Sequence, residues 1–206
     1  MRILVFGAHP DDIEICMGGT ISKFIKEHHE ILGVTGCVPD QIDRRMKEIE
    51  KGSKLLNYSS KVFECGIGKQ IEDIKEYVLV SETDKVIKEF KPDIIFTHWD
   101  NDPHKDHVRL TNAVKASMRN TKAELVMFSP PNINIFNIND FNPNLLIDIS
   151  NEFSIKVKAI NAHTSQLGEG HRSDWLENIK NFNQFYGRVM HVSYAEGFII
   201  KRKFVY

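Results

Sequence analysis

Ala8-His9-Pro10-Asp11-Asp12-Ile13-Glu14 follows directly on the apolar run Ile3–Phe6 and precedes Gly18-Gly19-Thr20. The apolar run predicts a buried strand, and the polar residues after it predict a tight turn at the end of that strand. An imidazole and several carboxylates at the end of a core strand are costly unless a cation compensates them. The segment therefore predicts a metal site. In that site His9 and Asp12 point at one ion and Asp11 is left to act on a bound water.

Apolar runs of strand length alternate with segments of helical spacing along the rest of the chain. The predicted strands cover residues 3–8, 31–35, 61–65, 94–97, 124–128, 145–149 and 195–205. The predicted helices cover residues 19–29, 41–56, 72–90, 103–119, 152–163 and 174–189. Within 72–90, Ser81 is a predicted cap of a second helical segment. This alternation predicts an α/β fold with a doubly wound, mostly parallel sheet and helices on both of its faces.

Length and composition favour one globular domain that spans residues 1–206. With 206 residues and 41% hydrophobic residues, the chain is long enough to bury a single core. Its 27 basic and 28 acidic residues nearly cancel, so no overall field would attract nucleic acid or an anionic membrane. No segment approaches the roughly 20 apolar residues of a membrane span. We expect a soluble, cytoplasmic protein with a small-molecule partner.

Three features outside the regular pattern have simple structural interpretations. Cys16, Cys37 and Cys65 are odd in number and widely spaced, which predicts buried thiols rather than disulfides or a paired-cysteine metal site. The asparagine-rich stretch 129–144 predicts a long loop or an irregular edge. Lys201-Arg202-Lys203 predicts the exposed end of an edge strand, where charge prevents edge-to-edge pairing.

A second polar run, His98 to His107, follows the predicted strand 94–97. Asp102 followed by Pro103 is typical of a helix start, with the acid as the N-cap and the proline as the first helical residue. His104 and His107 would then be neighbours on one helix face near the positive helix end. That environment disfavours a protonated imidazole and suits a metal ligand.

The two polar runs should share one crevice, because ligands of open parallel sheets bind beyond the carboxyl ends of the strands. Two histidines and one carboxylate around an open position are the usual ligands of a catalytic zinc. We assign His9, Asp12 and His107 as the ligands and leave His104 outside the ligand set. The same ligands suit Fe²⁺, although iron oxygenases with this set usually have all-β folds.

Several other residues near the crevice keep a structural alternative. Arg45 has Glu48 one helical turn away, and the spacing suits an ion pair between them. Trp99 lies close to the predicted crevice, and core packing at the strand end would explain it. Asp106 is a candidate partner of His104, and a helix-dipole role is as good an explanation.

These segments resemble the LmbE-like or PIG-L-type de-N-acetylase family. His9-Pro10-Asp11-Asp12-Ile13-Glu14 resembles the first motif of that family, and His104-Lys105-Asp106-His107 resembles the second. Weaker similarities run through the rest of the chain in the family's order. They are Arg45 with Glu48, Lys158 with His163-Thr164-Ser165-Gln166, and Ala195-Glu196-Gly197-Phe198.

The resemblance implies a Rossmann-like fold and a zinc-dependent hydrolase that removes acetyl from an N-acetylglucosamine-type group. His9, Asp12 and His107 match the family's metal ligands, and Asp11 matches its general base. His104 matches the residue that stabilises or protonates the tetrahedral intermediate. Arg45 matches a substrate-contacting arginine, with the ion pair to Glu48 as its rival explanation. For a sugar substrate, Trp99 would be a candidate stacking platform, and core packing explains it equally well. Two places depart from the family pattern: Asn57-Tyr58 stands where many relatives have Gly-Val, and residues 132–144 match nothing in it.

Two other classes of function remain as alternatives. A nucleotide-binding module on the same type of sheet would need a glycine-rich turn after the first strand, and this chain has His-Pro-Asp-Asp there, with Gly18-Gly19 too far along. A catalytically inactive scaffold subunit would be expected to lack ligands, and all of them are present. The sequence leaves open whether the chain forms a homo-oligomer.

Overall fold

The computed structural model describes residues 1–131, 141–166 and 175–205. Its sheet has seven strands in the order β3-β2-β1-β4-β5-β7-β6. The strands are β1 Arg2–Gly7, β2 Glu30–Thr35, β3 Ser59–Val62, β4 Ile94–His98, β5 Glu124–Phe128, β6 Leu145–Asp148 and β7 Ala195–Arg202. β1 to β5 are parallel, whereas β7 runs antiparallel to β5 and β6. The prediction of an α/β fold with a mostly parallel sheet is confirmed.

Within the described ranges, six α-helices connect or flank these strands. They are α1 Asp12–Lys26, α2 Ile42–Leu56, α3 Glu76–Phe90, α4 Lys105–Ser117, α5 Phe153–Ile160 and α6 Trp175–Val189. Short 3₁₀ helices occupy Glu64–Gly66, Ile71–Asp73 and Met118–Asn120. Among the described residues, no helix combines the length and apolar character that crossing a membrane requires.

The two faces of the sheet are covered by different helices. Along β1, Leu4 and Phe6 pack with apolar residues of α3 and α4, while Ile3 and Val5 pack with those of α1 and α5. All four side chains are fully buried. This strict alternation is why a short, continuous apolar strand can serve two cores at once.

Several predicted boundaries were wrong. α1 begins at Asp12, inside the first polar run, rather than near Gly19. α3 is one uninterrupted helix, so Ser81 caps nothing, and the segment before it forms the 3₁₀ turn Ile71–Asp73. The third strand lies two residues earlier than predicted. Of the asparagine-rich stretch, residues 132–140 lie outside the described part of the chain.

The prediction that the last strand lies at an edge was also wrong, because β7 is paired on both sides. The guanidinium of Arg202 donates to the carbonyl oxygens of Met118, Thr121 and Ala123, so this basic residue anchors the turn before β5. Lys201 places its ammonium 4.5 Å from the ring centroid of Trp99. The basic end of the chain thus serves internal contacts.

A buried ion pair joins β7 to α1 and α5. The Lys156 ammonium lies 2.6 Å from the Glu196 carboxylate, and each side chain is 1% exposed. Glu196 also accepts hydrogen bonds from the backbone N–H groups of Gly19 and Thr20. These donors follow Met17, whose φ of −146° interrupts the helical geometry of α1. Glu196 therefore satisfies the backbone groups that the interruption leaves open.

We predict that Lys156→Met destabilises the fold strongly, because it leaves the Glu196 charge buried without a cation. Loss of one partner of a buried pair costs about 3–5 kcal/mol. Urea unfolding followed by circular dichroism measures the change. The matched control is Lys54→Met, which breaks an exposed ion pair with Glu50 and should leave the midpoint unchanged. Equal urea midpoints for the two variants would contradict the prediction that the buried ion pair stabilises the fold strongly.

Candidate active site

The two polar runs meet where the strand order reverses. β1 lies between β2 and β4, so the crossovers leave its carboxyl end in opposite directions and open a crevice between β1 and β4. The backbone N–H of Ala8, just after β1, donates to Nε2 of His98, the last residue of β4, at 3.0 Å. The two polar runs therefore lie close together, as predicted.

The turn after β1 has an unusual backbone conformation at Asp11. Its φ is 104°, a region that non-glycine residues rarely adopt. The turn is closed by the carboxylate of Asp12, which accepts a 2.7 Å hydrogen bond from the backbone N–H of His9. Asp11 and Asp12 are 7% and 5% exposed. The turn thus places two adjacent, nearly buried aspartates at the start of α1.

Asp12 is surrounded by imidazole nitrogens. Its oxygens lie 3.6 Å from Nδ1 of His9, 3.2 Å from Nε2 of His98 and 3.7 Å from Nε2 of His107. Burial opposes ionisation, but His107 and His98 outweigh it and hold the pKa of the Asp12 carboxyl well below its usual range. A carboxylate among three nitrogen donors is a suitable environment for a divalent cation.

The surroundings of His9 carry an excess of negative charge. Burial would lower the pKa of His9, yet hydrogen bonds with Asp106 and Asp12 overcome it and raise that pKa to about 12. Such a shift means that the carboxylates around this ring strongly favour a positive charge beside them. A bound Zn²⁺ would provide that charge, and the nitrogen and carboxylate donors match its preferences.

In the part of the chain that the structure describes, three groups of donors are each compact enough to hold one ion. Within each group, one ligand atom per residue lies within 4.8 Å of the others. The groups are His9, His104 and His107; His9, Cys37 and Asp106; and Asp12, His98 and His107. The predicted ligand set of His9, Asp12 and His107 shares two members with the first group and two with the third. It stays a prediction.

The sequence predicts only that His98 lies close to the crevice. In the structure His98 is a central part of the site. Its ring is fully buried and stacks on His107 with centroids 3.8 Å apart. Burial and the neighbouring His107 lower the pKa of His98 to about 4, so the ring is neutral at neutral pH. A histidine that ends a buried strand directly before a polar run was the available signal.

The start of α4 differs from the prediction. The N-cap is His104, whose Nδ1 accepts a hydrogen bond from the backbone N–H of Asp106, and the helix begins at Lys105. Asp102 instead accepts a 2.8 Å hydrogen bond from the backbone N–H of His104. The carboxylate therefore orders the turn before the helix, and the imidazole takes over the capping role.

His104 is the most solvent-exposed of the clustered histidines. Its ring lies 4.8 Å from that of His9 and stacks on that of His107 at 4.5 Å. Burial, together with positive charge on His107 and His9, lowers the pKa of His104. Because Nδ1 accepts the capping hydrogen bond, Nε2 carries the proton of the neutral ring.

Asp106 makes contacts other than the predicted support of the His104 ring. One oxygen lies 3.1 Å from Nε2 of His9 and 3.1 Å from the backbone N of Ile71, and the other accepts a 2.9 Å hydrogen bond from the backbone N–H of Glu72. The carboxylate thus joins His9 to the 3₁₀ turn Ile71–Asp73. Its negative charge raises the pKa of His104 only weakly, against larger opposing effects.

The two predicted substrate contacts also engage other side chains. Arg45 is 6% exposed, and its Nη1 donates to Asp40 at 2.9 Å. Its Nε is buried without a hydrogen-bond partner among the described residues. The rival pairing with Glu48 was wrong. Trp99 is half-buried against the core that α3 and α4 cover, and the Lys201 ammonium lies over its ring.

The segment His163–Gln166 is connected to both α1 and α2. Nε2 of His163 lies 3.3 Å from Glu14, which also accepts a 2.7 Å hydrogen bond from the Tyr58 hydroxyl. Burial would lower the pKa of His163, but Glu14 raises it. Glu48 accepts hydrogen bonds from Thr164 and Ser165. These contacts hold the segment behind the first polar run.

The chain is similar to proteins with deacetylase and hydratase descriptions. A diacetylchitobiose deacetylase of Thermococcus kodakarensis is 22% identical over 220 residues, which cover 95% of this chain and 81% of that protein. The N,N'-diacetylchitobiose deacetylase of Pyrococcus horikoshii, solved with an inhibitor, matches with a TM-score of 0.73 and 24% identity, covering 97% and 83% of the two chains. The 4-carboxy-2-hydroxymuconate hydratase of Pseudomonas putida matches with a TM-score of 0.80 and 16% identity, covering 100% and 98%. At these identities the structural matches establish the fold.

The family model described as GlcNAc-PI de-N-acetylase, PIG-L, matches residues 4–118, more than half of the chain. The matched range contains both polar runs and the helix that carries Arg45. The chain therefore belongs to the PIG-L family of de-N-acetylases.

Proposed function

We propose that this protein is a metal-dependent amide hydrolase that removes the N-acetyl group from an N-acetylglucosamine-type conjugate. Membership of the PIG-L family supports deacetylase activity. The observation that carries the proposal is the Asp12 carboxylate, buried among nitrogens of His9, His98 and His107 at the junction of β1 and β4. The diacetylchitobiose deacetylase descriptions of two relatives support an amino-sugar substrate.

His9, Asp12 and His107 would hold the ion. His98 is the less suitable ligand because its Nε2 already accepts the N–H of Ala8. Zn²⁺, with Fe²⁺ as the alternative, lowers the pKa of a bound water and polarises an amide carbonyl. The remaining steps need a proton acceptor, a proton donor and groups that orient the substrate.

Asp11 is the proposed proton acceptor. It is adjacent to Asp12 and nearly buried, and the turn conformation fixes its backbone. A carboxylate at this position would take the proton of the attacking water, a step that typically contributes about 10²–10⁴-fold to the rate.

His104 is the proposed donor to the substrate. The hydrogen bond from the Asp106 N–H to Nδ1 leaves the proton on Nε2, so the ring offers an N–H to the amide oxygen or nitrogen. Its exposure agrees with a position at the entrance of the crevice, where the substrate would bind. Asp106 contributes to this role through its backbone N–H, which donates to Nδ1 of His104.

Arg45 and Trp99 are the proposed substrate contacts. The Nε of Arg45 has no hydrogen-bond partner within the described residues, and a sugar hydroxyl, carboxylate or phosphate could satisfy this buried donor.

We further propose that the protein is a single domain that acts in the cytoplasm on a small molecule, without a nucleic-acid partner.

We predict that chelation abolishes acetate release and that zinc restores it. Without the ion, no group among the proposed site residues would lower the pKa of the attacking water or polarise the amide carbonyl. The measurement combines metal analysis of the purified protein with acetate release from a panel of N-acetylglucosamine conjugates. Full activity in protein shown to be metal-free would exclude the proposed chemistry.

We predict that Asp11→Asn lowers kcat by about 10²–10⁴-fold while the protein stays folded and metal-loaded, since the amide cannot accept the water proton. Steady-state kinetics and metal content measure the two effects separately. Asp43→Asn, a change of an exposed aspartate in α2, is the matched control and should keep the parent rate. Near-normal turnover of Asp11→Asn would rule out this base.

We predict that Arg45→Met raises KM by about 10–100-fold with a smaller change in kcat. A charged hydrogen bond to substrate contributes about 1.5–3 kcal/mol, and 1.4 kcal/mol corresponds to a factor of ten. The neighbouring exposed residue provides the control Arg44→Met, whose KM should equal that of the parent protein. A KM for Arg45→Met that matches the control would remove Arg45 from the substrate site.

A further inference from the structure

His9 and His107 turn different nitrogens toward Asp12. His9 directs Nδ1 toward it, at 3.6 Å, and His107 directs Nε2 toward it, at 3.7 Å. The other nitrogen of each ring faces a second carboxylate. Nε2 of His9 lies 3.1 Å from Asp106, and Nδ1 of His107 lies 3.1 Å from Asp102. Each imidazole is therefore placed between two carboxylates, in opposite orientations.

Asp106 is rigidly held for contact with His9. Its side chain is 4% exposed, and the backbone N–H groups of Ile71 and Glu72 fix both of its oxygens. It can therefore accept a hydrogen bond from Nε2 of His9 without moving. A carboxylate that is anchored by two backbone donors is well suited to orient a third group.

Asp102 is held in a similar way. One oxygen accepts the N–H of His104, and the side chain is 2% exposed. Its other oxygen and Nδ1 of His107 are both buried and lie 3.1 Å apart. Neither atom has another hydrogen-bond partner among the described residues. Each is thus the available partner of the other.

A neutral imidazole carries one proton, and the nitrogen without it can bind a metal. A carboxylate at one nitrogen retains the proton there and leaves the lone pair on the other side. We propose that Asp106 and Asp102 are positioning residues that fix opposite tautomers, so that His9 binds the metal through Nδ1 and His107 through Nε2. This inference rests on the proposed function, because it assumes that the two rings are ligands.

The first test measures zinc affinity by competition with a chromophoric chelator. Asp106→Asn and Asp102→Asn should each weaken zinc binding by about 10–100-fold, the usual effect of losing such a partner of a ligand. The matched control is Glu196→Gln, another buried carboxylate that accepts two backbone N–H groups and pairs with a lysine. Its folded form should bind zinc as the parent protein does. Equal weakening in all three variants, or in none, would overturn the inference.

The second test needs no substitution and therefore does not depend on whether the variants fold. Two-bond ¹H–¹⁵N spectra of the zinc-loaded protein, labelled at histidine, report which nitrogen of each ring is protonated. The expected result is a proton on Nε2 of His9 and on Nδ1 of His107. The same protonated nitrogen on both rings would overturn the inference while leaving the hydrolase proposal intact. A parent protein that binds neither zinc nor Fe²⁺ would overturn both.

Discussion

The burial of the Asp12 charge is the constraint on which the site depends. A carboxylate that is 5% exposed can stay ionised only if positive or polarised groups surround it, and here the imidazoles of His9, His98 and His107 do so. Those rings lie at or after the carboxyl ends of β1 and β4, two strands that are distant in sequence and adjacent in the sheet. The strand order therefore brings these rings together, and the rings keep the buried Asp12 carboxylate ionised.

Much of this arrangement could be predicted from the sequence. Apolar runs that end in polar turns identified β1 and β4, and the doubly wound pattern brought their carboxyl ends together. What could not be predicted depends on pairing between distant segments. Glu196 satisfies a break in α1, and β7 is internal because β6 pairs with its second side. The contact of Asp106 with His9 depends on the turn Ile71–Asp73, which has no periodic signal.

The fold alone would not identify the reaction. A hydratase and a deacetylase both match the architecture, with TM-scores of 0.80 and 0.73. The distinction rests on side chains at the carboxyl ends of β1 and β4, since one scaffold can support several chemistries. In this chain those side chains form a connected cluster of carboxylates and imidazoles, with contacts such as Asp12 to His98 and His98 to His107, so that a change at one alters the charge and protonation of its neighbours.

Asp11 combines a chemically valuable side chain with an unfavourable backbone. A φ of 104° in a non-glycine residue carries strain of about 1–3 kcal/mol, which glycine would avoid. The remainder of the fold must supply that free energy, and the fully buried residues Ile3–Phe6 of β1, next to the turn, are well placed to do so. Selection for stability alone would favour a residue without this strain, so the proposed proton-accepting role of Asp11 would account for an aspartate that lowers the stability of its own turn.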